Sequence, residues 1–189
     1  ALGAEPRLLH ALPEYEKFDF IFAAHVDSQQ QPALENLLAD GGYLVVVEPA
    51  LKDSTRRLME WRDRKAAEGW TIAAPCVGQK RCPMIGRADL WCHMDIPWPR
   101  PAFISEIDRR AGLNKESLKY AYMVLTRGGK GLADLPGADV RVVSNLHKEK
   151  GKAWAWLCGH DGPLCRTEVL TRHRSEGTAD FFTPIEGTF

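Results

Sequence analysis

Two apolar runs, FDFIFAA at residues 18–24 and YLVVVEP at residues 43–49, do most to restrict how this chain can fold. The first is too continuous for a half-exposed strand and reads as one buried on both faces, and the second is a strongly apolar strand. Between them lies a polar break at His25-Val26-Asp27-Ser28, then Leu34, Leu37 and Leu38 on one helical face. Asp40-Gly41-Gly42 supplies helix-stop and turn chemistry, and Pro49 closes the second run. Strand, helix and strand with short links predict a parallel pair in an α/β sheet.

A helix is expected over residues 53–68, capped by Asp53 or Ser54, with Leu58, Met59, Trp61 and Arg62 defining its faces. A short strand over residues 70–74 follows. Residues 75–101 break the pattern, with prolines at 75, 83, 97, 99 and 101 and no apolar period. A loop of that length is functional, or is held by something other than a hydrophobic core. A short helix over 102–111 and a strand over 119–126 come next. Gly128-Gly129-Lys130-Gly131 marks the boundary between a domain at 1–130 and a β-rich extension at 138–189. That extension carries strand-like runs at 140–143, 153–158 and 168–171, with turn-rich segments at 147–152 and 159–163, and suits a small barrel or open sheet. The stretch from about Gly177 has no clear period.

The chain's formal net charge is zero, which excludes a polycation built to coat nucleic acid. Its distribution is uneven: residues 1–50 are acidic and residues 141–174 basic, so a polyanion contact is expected towards the C-terminus. No apolar run spans a bilayer and no secretory signal is read, so no membrane partner is expected. Five cysteines without an export signal argue against a disulfide framework and for thiolate chemistry or buried thiols in a reducing compartment.

Three of the five sit in the aperiodic loop, as Cys76-x5-Cys82-x9-Cys92, with Cys158 and Cys165 far downstream. Thiolates suit zinc or an iron–sulfur cluster, and four thiolates make the usual cluster set. The spacing matches neither a zinc ribbon nor a ferredoxin run, so separate reduced thiols packed as small hydrophobes remain open. Three loop thiolates plus a distant fourth would staple the loop to the extension, and the loop's small apolar area calls for some such staple. His93, beside Cys92, reads as a surface or supporting histidine rather than a ligand.

The strings FDFIFAAHVDS, LLADGGYLVVVEP, APC-x5-CP-x8-WCH and YAYMVLTRG together resemble the mitochondrial small-ribosomal-subunit methyltransferase-like family, which also has bacterial relatives. The resemblance covers roughly residues 15–175. It implies a partial doubly wound, S-adenosylmethionine methyltransferase-like sheet with a cysteine-rich metal loop and a small C-terminal β-rich extension. It also implies a four-iron cluster held by Cys76, Cys82, Cys92 and Cys158, with Cys165 as the fallback for the fourth ligand and zinc as the alternative metal. Implied partners are small-subunit ribosomal RNA and ribosomal proteins, in the mitochondrial matrix or, alternatively, a bacterial cytoplasm. Two departures stand out. Val77-Gly78 replaces the family's Pro-His after the first cysteine. No glycine-rich loop precedes the first run, which corresponds to the fourth strand of the family's sheet. The front of the sheet is therefore expected from another chain or segment covering its open edge, and S-adenosylmethionine binding or catalysis by these residues alone is not expected.

His25, at the C-terminal end of the first strand, is a candidate for facing a cofactor pocket, with a capping role as the plainer reading. Lys148, Lys150 and Lys152 interleave with Trp154 and Trp156, and Arg172 and Arg174 follow a later strand. Cations neutralise phosphate and aromatic faces stack on unpaired bases, so these are the RNA candidates. The bland alternatives are a solvated turn for the lysines and core packing for the tryptophans. Three functions follow: a ribosomal component or assembly factor, an active ribosomal RNA methyltransferase, or a zinc-stabilised nucleic-acid-binding module.

Overall fold

The front strand–helix–strand unit forms as expected: Phe18–Ala24 (β1) pairs in parallel with Leu38–Pro49 (β2) across Gln31–Leu37 (α1). The structure is a computed structural model that describes residues 9–26, 31–113, 117–134, 140–160, 164–175, 178 and 181. The polar break at Asp27-Ser28, the turn at 161–163 and most of the stretch after Gly177 lie outside the described residues. Next come Lys52–Ala67 (α2), Thr71–Ala74 (β3), Met94–Pro97 (β4), Ala102–Arg110 (α3) and Ser117–Thr126 (β5). The extension supplies Val140–Val142 (β6), His147–Glu149 (β7), Lys152–Gly159 (β8) and Leu164–Leu170 (β9).

β2 starts at Leu38, not Tyr43. The register jumps from Phe18↔Leu38 to Phe20↔Tyr43, so residues 39–42 form a wide bulge within the strand rather than the helix stop expected there. A side chain on Gly42 would stand 3.0 Å from the Asp19 carbonyl oxygen, so only glycine lets β1 and the bulge approach this closely.

The first sheet is mixed, in the order β1-β2-β5-β3 with β4 also on β5, and β5 is antiparallel to all three strands it pairs with. Its core lies on one face, where Leu34 of α1 and Leu58 and Trp61 of α2 cover Leu44, Val46, Ile72, Met123 and Leu125. The two helices are tied together where Glu35 accepts from Trp61 Nε1 at 3.2 Å and pairs with Lys65 at 2.8 Å. Because both helices sit on this face, β1 is not buried on both faces as its sequence suggested: Phe20 and Phe22 are each 61% exposed. Helices on both faces, the mark of a doubly wound sheet, do not appear in this core among the described residues. Nor is α2 capped by Asp53 or Ser54: its N-cap is Leu51, with no side-chain hydrogen bond.

The second sheet is open and antiparallel, with β8 at its centre, β6 and β7 along one edge and β9 along the other. β7 forms where turn residues were expected; at three residues it is too short to show a period. At the glycine-rich boundary the chain folds back on β3, with Gly131 close against Ala73.

Candidate metal centre

β5 frames the site. Ala74 pairs with Val124 of β5, and Met94 pairs with Tyr120 on the same edge. Four residues of strand span roughly 13 Å. Residues 75–93 therefore leave and rejoin one strand edge, bringing Cys76 and Cys92 to either side of Tyr122. β4, unforeseen in the sequence, is what fixes the returning end.

Polar side chains of α2 hold the excursion. Arg62, 5% exposed, donates to the carbonyls of Gly78 at 2.6 Å and Lys80 at 2.5 Å and pairs with Asp63 at 2.8 Å. Asp63 accepts from the Cys82 backbone N–H at 2.9 Å. Arg56 donates to the carbonyls of Ile85, Arg87 and Leu90. Gln79 exchanges two hydrogen bonds with the backbone of Ile72, at 2.8 and 3.0 Å, and so substitutes for a missing strand beside β3. The sequence suggested that the loop needed a metal staple to be ordered. These bonds hold it as well, because they satisfy its backbone polar groups directly. Gly78 then presses on the second sheet, where an added Cβ would stand 2.0 Å from the His160 carbonyl oxygen.

Four of the five cysteines meet at this junction. Cys76, Cys82 and Cys92 line a cavity of about 40 Å³ with Thr55, Arg62 and Tyr122. Such a void exceeds the room one water needs. Cys158 of β8 packs with Cys82, Cys92, Met84 and Trp156 in a second apolar cluster. Burial, and after it the neighbouring Cys76, Cys92 and Cys158, together push the Cys82 thiol up to about 12. Burial likewise raises Cys158 to about 11 and raises Cys76, against the pull of Arg62 and Arg141. The Nε of Arg62 is buried with no hydrogen-bond partner, while its guanidinium favours the Cys76 thiolate.

These shifts set a pH dependence. An unfolded thiol titrates near 8.5, so neutral thiols favour the folded state fully below that pH and lose this advantage as pH rises towards 11 to 12. The metal-free protein is expected to lose on the order of a few kcal/mol between about pH 9 and 11. A metal-loaded centre, its thiols already deprotonated, should show a flatter profile. Thermal melts with and without metal across that range check this; parallel profiles would refute it.

Among the described residues no three His, Cys, Asp or Glu side chains stand close enough to hold a single metal ion. The loop is therefore not a ready single-ion site. A tetrahedral zinc ion with Zn–S near 2.3 Å would draw its sulfurs to within about 4 Å of one another.

Cys165 does not belong to the group. It pairs with Leu157 in the β8–β9 register, one position off Leu164, the partner of Cys158, so it faces the opposite side of the sheet and is exposed. His93 stacks on Trp91, with Nδ1 3.1 Å from the Trp91 carbonyl oxygen. His25 is exposed with φ 55°, and its backbone N–H donates to Val47 O at 2.9 Å, which ends the β1–β2 ladder. Lys148, Lys150, Arg172 and Arg174 are exposed. Lys152 is tied to Glu168 at 2.7 Å and Glu149 at 3.4 Å. Trp154 is stacked by His147 at 3.9 Å with Arg166 4.2 Å from its ring, and Trp156 packs in the second cluster. Both indoles are thus engaged within the protein rather than offered to bases.

The sequence did not single out Arg141, whose guanidinium donates to Cys92 Sγ at 2.6 Å, nor Asp63 and Arg56. Arg62 carried a usable signal: it falls on the apolar stripe with Leu58 and Met59, where a charge needs a reason.

Together these features define a mixed α/β protein whose two sheets are joined at a half-buried group of four thiols. Residues 14–183 match the family described as mitochondrial small ribosomal subunit Rsm22, and the chain belongs to that family. Membership carries a role with the small subunit of the mitochondrial ribosome, and with it ribosomal partners and translation. No curated protein matches the chain.

Proposed function

We propose that this chain sits on the mitochondrial small ribosomal subunit, in the matrix, as a methyltransferase-like component or assembly factor. In this reading Cys76, Cys82, Cys92 and Cys158 hold a four-iron cluster, and the basic edge of the second sheet faces ribosomal RNA. The carrying observation is the convergence of three loop thiols and one from β8 on a single junction. The donor set fits: a four-iron cluster places each thiolate on a different iron, so its sulfurs stand wider apart than those around one ion. When bound, it supplies a covalent cross-link between the loop and the second sheet. Buried Arg62 and Arg141 offset the net negative charge that such a set of thiolates carries.

For RNA, exposed Lys148 and Lys150 on the β7 edge, with Arg172 and Arg174, favour phosphate neutralisation over base stacking. The parallel β1–β2 pair with β5 inserted antiparallel supports a methyltransferase-like sheet. The exposed Phe20 and Phe22 on β1 suit a covering strand or neighbouring protein.

The test is anaerobic purification with iron, sulfide and zinc quantification, followed by co-sedimentation with small subunits. Equal iron and sulfide are expected, with little zinc. Lys148→Glu with Lys150→Glu should weaken subunit binding and reduce its salt slope by about two. Zinc without sulfide would refute the cluster, and unaltered sedimentation would refute the RNA-facing edge.

A further inference from the structure

Arg141 sits on β6 directly opposite Cys158 and is 2% exposed. Its Nη1 donates to Cys92 Sγ at 2.6 Å and its Nη2 reaches Met94 Sδ at 3.2 Å. A buried guanidinium is costly unless it meets negative charge. Two of its donors go to sulfur. Arg62, which lines the cavity, divides its donors between Asp63, two loop carbonyls and the Cys76 thiol. The two arginines therefore differ in emphasis: Arg62 chiefly holds the loop, whereas both Nη atoms of Arg141 meet sulfur.

We propose that Arg141 is a positioning residue that sets the reduction potential of the centre, favouring its reduced form through the cationic hydrogen bond to Cys92. The inference rests on the four-iron reading above. Adding an electron to a thiolate-bound cluster adds negative charge, and a cation in contact with a ligand sulfur stabilises that state. Hydrogen bonds to the sulfurs and local charge are the protein's main controls on cluster potential. The planar fork of arginine reaches two sulfurs at fixed spacing, which a lysine cannot reproduce. Because Arg141 belongs to the second sheet and Cys92 to the loop of the first, the same contact makes the potential depend on how the two sheets sit together.

The test uses the full chain, purified anaerobically and reconstituted with iron and sulfide, as wild type, Arg141→Met and Arg141→Lys. Iron per chain is measured first. The midpoint potential then follows from dye-equilibrated titration with dithionite, read by the paramagnetic signal of the reduced cluster. Arg141→Met is expected to keep its iron while its reduced fraction at fixed poise falls about tenfold, a negative shift of about 59 mV for a one-electron couple. Arg141→Lys, which keeps the charge and loses the fork, should shift less in the same direction. Full loading of Arg141→Met at an unchanged potential overturns the proposal. Should Arg141→Met fail to fold or load, Arg141→Lys decides alone: a more negative potential supports the assignment and an unchanged one overturns it. A wild-type chain that takes up no iron refutes the cluster reading itself, before any variant is compared.

Discussion

Cys158→Ser should strip the centre of its metal, whereas Cys165→Ser should leave iron and sulfide at wild-type levels. The two cysteines are near neighbours in sequence and were alternatives for the fourth ligand. The β8–β9 register separates them: Cys158 lies opposite Leu164 and Cys165 opposite Leu157, so their side chains emerge on opposite faces. Only Cys158 packs with Cys82 and Cys92. Losing a directly bound thiolate should cost more than the 10–100-fold in affinity typical of outer-shell partners, so more than about 100-fold is expected. Stabilisation by the bound centre, about 2.7 kcal/mol at a free concentration 100 times Kd, should vanish with it. The melting temperature of Cys158→Ser with iron and sulfide present should then equal that of the metal-free wild type. Cys82→Ser should behave alike, since its thiol is electrostatically coupled to the other three. Full iron content in Cys158→Ser, or its loss in Cys165→Ser, would break the assignment.

Much of the fold was legible because burial writes itself into apolar runs. FDFIFAA, LVVVEP and KYAYMVLT each became a strand, and α2 and α3 fall within a residue of their expected limits. What such runs do not encode is direction. An apolar strand reads the same whether its neighbour runs parallel or antiparallel, so the insertion of β5 between β2 and β3 was invisible. The number of covered faces was also hidden: continuous hydrophobicity suggested burial on both sides of β1, yet Phe20 and Phe22 stand open. β4 and β7 are too short to carry a period.

At the site, cysteines and prolines announced themselves, while the residues that hold the loop did not. Asp63 and Arg56 look like the charged face of any amphipathic helix; only their geometry shows them bonded to loop backbone. Arg141, flanked by valines in a strand of three residues, gave only the weak hint of a charge in an alternating run. The sequence thus singled out the thiols that meet at the junction, but not the helix-to-loop hydrogen bonds that hold the loop.

That division of labour makes Arg62→Met the sharpest probe of the loop, because a large part of its effect should already be present without metal. The substitution keeps approximate volume and removes the charge, so the loss is chiefly polar. The carbonyls of Gly78 and Lys80 lose their donor, and each buried acceptor left unsatisfied costs about 1–3 kcal/mol. Asp63 loses its partner at 2.8 Å, and breaking one side of a largely buried pair costs about 3–5 kcal/mol. These costs overlap, since they share one side chain, so the expected total is about 3–5 kcal/mol rather than their sum. Arg109→Met serves as the contrast: its ion pair with Glu106 lies on the open surface of α3, so its loss should leave the unfolding midpoint essentially unchanged. Urea unfolding of the metal-free chain, with the midpoint read at unchanged slope, measures both variants. If Arg62→Met shifts stability by under about 1 kcal/mol without metal but by several with it, the loop depends on its inorganic centre after all. A large loss in both states instead means that α2 organises the thiols before any metal arrives, and the centre inherits its geometry from the helix.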